Sequence, residues 1–196
     1  MRLIITRHGE TEENKNKILQ GHLPGNLSEL GIEQAQKLAL RLKNEKIDAI
    51  FSSDLARASD TARLISKYHK GVPLILVEEL REKDLGEFSG ESWDTISDFN
   101  ELIDNDSGFH GVETRKSVEL RVKKLLDSVY LKYKNSNVLF VAHNGTNKIL
   151  MRIIMKEANL NHEDLVDQHN TSVTIFEIKK DKNHKLQIFN CAKHLN

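Results

Sequence analysis

Apolar positions along the chain follow two rhythms. Short unbroken runs, LIIT at 3–6, AIF at 49–51 and VLFVA at 138–142, read as strands buried on both faces, because a half-exposed strand would alternate. Between the runs, apolar residues return at helical spacing. Leu30, Ala35, Leu38, Ala39 and Leu42 follow Ser28, a candidate N-cap, and Leu55, Ala58, Ala62, Ile65 and Tyr68 follow Asp54, a second candidate cap. Val118, Val122, Leu125, Leu126, Val129 and Tyr133 make a long amphipathic pattern after Thr114, and Ile149, Leu150, Ile153 and Ile154 mark a helix over 146–156. Val72 to Val77 reads as a further strand, and Pro73 puts it at a sheet edge or a strand start. Residues 172–178 and 185–190 read as two strands joined by the polar turn KKDKNH.

Strands thus alternate with helices over most of the chain. That order predicts an α/β fold with a doubly wound, mostly parallel sheet flanked by helices, and at least one antiparallel edge strand near the C-terminus. One stretch breaks the rhythm. Residues 81–112 mix acids, glycines and four aromatics, Phe88, Trp93, Phe99 and Phe109. They predict at most short helices, in a small helical or loop cap insertion at about 85–112. The chain has 196 residues, two prolines and no Gly/Ser/Pro linker, which predicts a single domain over 1–196.

Composition removes several functions. Lys+Arg and Asp+Glu balance at 29 each, so no global basic field invites nucleic acid and no polybasic tail invites a membrane. Any anion site must be built locally. The single cysteine, Cys191, rules out an internal disulfide and a Cys-rich zinc site. It predicts a reducing, cytoplasmic location, as do a first apolar run too short for a signal peptide and the lack of any stretch near the roughly 18 apolar residues of a spanning helix. Monomer and homodimer both remain open.

Chemistry gathers where strands end. LIIT runs into Arg7-His8-Gly9, VLFVA runs into His143-Asn144-Gly145, and AIFSS runs into Asp54-Leu55-Ala56-Arg57. In an open parallel sheet, ligands bind beyond the carboxyl ends of the strands. Arg57 falls in the first turn of a helix, where free backbone N–H groups favour an anion. Two arginines and two histidines at one rim suit a phosphate dianion. A neutral imidazole there can act as a nucleophile if its other nitrogen is held as a donor. Neighbouring arginines would keep it unprotonated and stabilise the transferring group.

These residues resemble the histidine phosphatase superfamily, the group that includes cofactor-dependent phosphoglycerate mutases. Thr6-Arg7-His8-Gly9-Glu10-Thr11, with Asn14 after it, is similar to the family signature. Gln20-Gly21-His22 with Leu27-Ser28 and Gly31, then Ser52-Ser53-Asp54-Leu55 with Arg57-Ala58, Leu80-Arg81-Glu82 with Asp84-Leu85-Gly86, and Val141-Ala142-His143 follow in the family's order. The resemblance implies that His8 is the nucleophile that becomes phosphohistidine. Arg7, Arg57 and His143 would hold the phosphoryl oxygens with Asn14, while Gln20 and Gly21 line the site through amide and backbone groups. Glu82 would be the general acid and then the base, with Asp84 the second choice. No metal or other cofactor is implied. Asn144 stands where the family commonly has glycine. It tolerates left-handed backbone and would bring an amide to the rim.

The chain has no Arg-Arg pair and no room for the large insertion of the mutases, so it resembles the compact phosphatases. The expected activity is hydrolysis of a small phosphomonoester. The alternatives are a phosphoglycerate mutase and a non-catalytic phospho-ligand binder, which would have dispensed with His8 or Glu82. Lys83 and Arg115 are candidates for a second charged group on the substrate. Five other histidines, His110, His162, His169, His184 and His194, have no matching context and are expected at the surface or in structural roles.

Overall fold

A computed structural model of the chain describes residues 1–95, 108–161 and 165–196. Its strands are β1 (Arg2–Arg7), β2 (Ala49–Ser53), β3 (Leu74–Val77), β4 (Asn137–Ala142), β5 (Val173–Glu177) and β6 (Lys185–Cys191). They form one six-stranded sheet in the order β3-β2-β4-β1-β5-β6. The pairs β1–β4, β4–β2 and β2–β3 are parallel, and β5 runs antiparallel to both β1 and β6. The α/β architecture and the antiparallel C-terminal pairing both follow the sequence pattern. β1 and β4 are parallel neighbours, with Arg7 opposite Ala142, so His8 and His143 leave the sheet side by side.

Among the described residues the helices are α1 (Glu12–Lys15), α2 (Glu29–Leu42), α3 (Ala56–Ser66), α4 (Arg115–Tyr133) and α5 (Asn144–Glu157). On one face of the sheet, Leu3, Ile5, Val138, Phe140 and Ala142 pack with Val118, Val122 and Leu126 of α4 and Leu150 and Ile154 of α5. On the other, Ile4, Leu139 and Val141 pack with Leu38 and Leu42 of α2 and Ala58, Ala62 and Ile65 of α3. Successive strand residues therefore serve opposite faces, and both faces are covered. That is why the runs read as continuous.

Caps set where helices start. Ser28 accepts from the backbone N–H of Gly31, and Thr114 from that of Ser117. Asp54 does not cap α3 as expected. Leu55 holds the N-cap position without a side-chain bond, and the Asp54 carboxylate pairs with Arg81 instead. Two residues of the helical patterns, Leu30 and Tyr68, are half-exposed rather than core, and Tyr68 lies past the end of α3. β3 begins at Leu74, after Pro73, whose carbonyl accepts from the N–H of Ile50.

The cap is tied at its base, where Leu85 and Val112 form an antiparallel bridge. Its described parts are short 3-10 turns, Gly86–Phe88, Trp93–Thr95 and Phe109–Gly111. Trp93 and Phe109 are exposed, so these two aromatics do not form a core. Phe99 and His162 lie outside the described residues.

Candidate active site

The site grows from the carboxyl ends of β1, β4 and β2. The His8 N–H continues the ladder by donating to the Ala142 carbonyl, and His143 follows as the N-cap residue of α5. Their rings lie 5.2 Å apart, inclined by 59°. Hydrogen bonds fix both tautomers. His8 Nδ1 lies 2.6 Å from the Gly9 carbonyl oxygen. A carbonyl only accepts, so Nδ1 carries the proton and Nε2 keeps its lone pair. In His143 the order is reversed: Nδ1 accepts from Arg57 Nε at 3.2 Å, so Nε2 is the N–H, buried and without a hydrogen-bond partner. One ring offers a nucleophile and the other a donor.

Arg57 is 1% exposed. Besides His143, its guanidinium donates to the carbonyls of Gly21, Leu23 and Pro24. Burial lowers its pKa to about 10, which leaves it charged at neutral pH. Arg7 Nη1 donates to the Gln168 carbonyl at 2.6 Å, and its Nε is buried without a partner. Burial first, then Arg57 and Arg7, hold His8 well below the ordinary histidine pKa of 6.5. Burial, then Arg57, His8, Arg7 and Arg121, do the same for His143. Both rings are therefore neutral at pH 7, as nucleophilic use of His8 requires.

Glu82 is fastened at the start of α5. Its carboxylate accepts from the N–H groups of Gly145 and Thr146, each at 3.0 Å, and from the Lys83 N–H and the Thr146 hydroxyl. The carboxylate is thus held at the N-terminus of the helix that His143 caps. Gly145 leaves room for the carboxylate in this position: a Cβ there would sit 2.7 Å from Glu82 Oε1 and push it aside. Asp84 is used differently: it accepts from the Gly86 N–H and faces His22.

Other expected residues take supporting places. Thr11 caps α1 in a reciprocal box with Asn14, and its hydroxyl accepts from Gln20 Nε2 at 2.9 Å. Gly21, at φ +47°, presents its carbonyl to Arg57. Asn144 is not left-handed; it is the first residue of α5, and its amide binds Asp167 and the Gln168 N–H rather than facing His8. Arg115 pairs with Glu119, and Lys83 is buried. Among the described residues no group of three or more His, Cys, Asp or Glu side chains is disposed to hold a metal ion. Sequence reasoning missed Thr146, which has no local signal beyond following the second histidine motif. It also missed Asn170, whose amide donates to the His8 carbonyl at 3.0 Å. The sequence pattern did not point to that residue, because no local signal brings 170 to 8.

The sequence and the fold have known counterparts. A family model described as the histidine phosphatase superfamily (branch 1) matches residues 3–191. The chain belongs to that superfamily and is a histidine phosphatase. The putative phosphoserine phosphatase 2 of Hydrogenobacter thermophilus is 34% identical over 184 residues, covering 90% of this chain and 88% of its own. The adenosylcobalamin/alpha-ribazole phosphatase of Escherichia coli is 33% identical over 182 residues, covering 86% of each. A mycobacterial glucosyl-3-phosphoglycerate phosphatase, solved in complex with VO3, superposes with a TM-score of 0.85 at 29% identity over 96% of this chain and 98% of its own.

Proposed function

We propose that the chain hydrolyses a small phosphomonoester through a phosphohistidine on His8. The observation that carries this is the tautomer of His8: the Gly9 carbonyl holds the Nδ1 proton, leaving an unprotonated Nε2 among buried cationic groups. Arg7, Arg57 and the Nε2–H of His143 receive the phosphoryl oxygens, and Asn14, Gln20 and Gly21 shape the loop around them. His8 Nε2 attacks phosphorus, forming the P–N bond as the ester P–O bond breaks. Glu82, entering as the acid, gives its proton to the departing alcohol oxygen. Glu82 then takes a proton from water, whose oxygen attacks phosphorus. The P–N bond breaks, its electron pair returns to Nε2, and inorganic phosphate leaves. The arginines stabilise charge in both transfers.

The substrate class follows the relatives, each named for a small phosphorylated metabolite. Exposed Trp93 and Phe109 in the cap, with Phe88 and Phe109 both edge-on to the His110 ring, favour a leaving group with an apolar or ring-bearing part. We assign the chain to one domain and to the cytoplasm, which its single cysteine suits; no helix among the described residues is long and apolar enough to cross a membrane. The test is hydrolysis of p-nitrophenyl phosphate and a panel of natural phosphomonoesters in EDTA, beside His8→Ala. Metal-free turnover that disappears in folded His8→Ala is the expected result. Turnover that EDTA abolishes and added metal restores contradicts the proposal.

A further inference from the structure

We propose that His22 is a positioning residue for Glu82, joining the loop that holds the phosphate to the loop that carries the acid. The proposal rests on the assignment of Glu82 as the general acid. His22 Nε2 lies 2.8 Å from the main-chain carbonyl of Glu82, sixty residues further along the chain. That oxygen can only accept, so Nε2 donates. On its other side, His22 Nδ1 lies 3.4 Å from the Asp84 carboxylate, which in turn accepts from the Gly86 N–H. The ring therefore bridges both residues that flank Lys83.

The loop carrying His22 is the one Arg57 grips. The guanidinium takes the carbonyls of Gly21, Leu23 and Pro24, immediately before and after the histidine. His22 thus transmits the position of Arg57 to the backbone of Glu82. A second donor, Arg121 Nη2, reaches the same Glu82 carbonyl at 3.2 Å from α4, and Arg121 is itself clamped by Glu113. Losing His22 accordingly leaves the carbonyl bonded and the fold supported, while the link between phosphate loop and acid is cut. Small displacements of this kind matter for proton transfer to a leaving oxygen, where distance and alignment set the rate.

The stereochemistry of the side chain supplies a sharp test. A glutamine amide nitrogen can occupy the place of histidine Nε2, and an asparagine amide falls one carbon short. His22→Gln, His22→Asn and His22→Ala are compared with wild type by kcat/KM, which reports the first phosphoryl transfer, on p-nitrophenyl phosphate and on an alkyl phosphate. Nitrophenolate leaves without help, so only the alkyl ester needs the acid. His22→Ala and His22→Asn are expected to lose on the order of tenfold more on the alkyl ester than on the nitrophenyl ester, with KM nearly unchanged and with His22→Gln restoring most of the difference. Equal losses on both esters, or failure of His22→Gln to recover beyond His22→Asn, overturns the proposal. Glu82→Gln run in parallel separates the two claims. If it is selective for the alkyl ester and the His22 variants are not, only the positioning role fails; if it shows no selectivity, the acid assignment fails and the proposal with it.

Discussion

The nucleophilic role proposed for His8 needs one ring nitrogen bare, and the backbone of the next residue arranges this. The Gly9 carbonyl takes the Nδ1 proton, and burial beside Arg57 and Arg7 keeps a second proton off. The same logic explains why one arginine must be an arginine. Arg57 serves His143 Nδ1 and three carbonyls at once, a fork that a lysine ammonium cannot reproduce. Arg57→Lys is expected to leave buried acceptors unpaired and to cost at least about 2 kcal/mol of stability by denaturant unfolding. In the same variant kcat/KM should fall on the order of a hundredfold. Wild-type turnover in Arg57→Lys would mean that the fork is not what orders the site.

At the scale of elements, the site depends on how closely two backbones approach. The RHGE turn after β1 lies so near the start of α2 that a Cβ on Gly9 would meet the Gly31 carbonyl, and one on Gly31 would meet the Glu10 carbonyl. The start of α5 lies close to the acid side chain, where a Cβ on Gly145 would sit 2.7 Å from Glu82 Oε1. Glycine thus makes room for the Glu82 carboxylate one position later than the family pattern suggests, and Asn144 is the first residue of the helix. Gly145→Ala should displace Glu82 while leaving His8 in place. Expected is a fall of about a hundredfold in kcat/KM for alkyl esters, with p-nitrophenyl phosphate much less affected. An alkyl-ester rate equal to wild type would show that Glu82 does not act from its position on this helix end.

Across the whole molecule, stability is linked to the neutrality of buried histidines. His8 and His143 are held well below 6.5 by burial and nearby arginines, His69 is lowered by burial, and His194 is pushed to about 4 by burial with Arg41 and Lys37. In the unfolded chain these rings titrate near 6.5. Between the lowered values and 6.5, the unfolded state binds more protons than the folded one, so stability rises with pH there. Their contribution is complete above the unfolded value and is lost as the pH falls. The thermal midpoint should drop from pH 7 to pH 5, and drop less in His194→Asn, which removes one such ring away from the catalytic groups. A midpoint indifferent to pH in that window would contradict the linkage.

How much of this was legible depended on whether the signal was local. Both faces of β1 and β4 are covered, so their apolar runs stood out, and the histidines at their ends could be placed at one rim from chain order alone. Arg57 was legible for the same reason. Asp54 was not: its sequence position suited a helix cap, but Arg81 offers its carboxylate a stronger partner from 27 residues away. The fastening of Glu82 by Gly145 and Thr146, and of His8 by Asn170, arises only when distant segments meet. Leu30 and Tyr68 matched helical spacing but face outward, because spacing fixes a stripe and not where that stripe ends. In the cap, acids and glycines leave no period to read.

The central claim is a covalent intermediate on one named atom. It is tested most directly by mixing the enzyme with p-nitrophenyl phosphate, quenching in alkali within a turnover, and mapping the phosphoryl group by peptide mass spectrometry. Phosphohistidine is stable in base, so the account predicts one phosphoryl group on His8 Nε2, absent from His8→Ala. A turning-over enzyme whose His8 peptide never carries phosphate, or that carries it on another residue, contradicts the account.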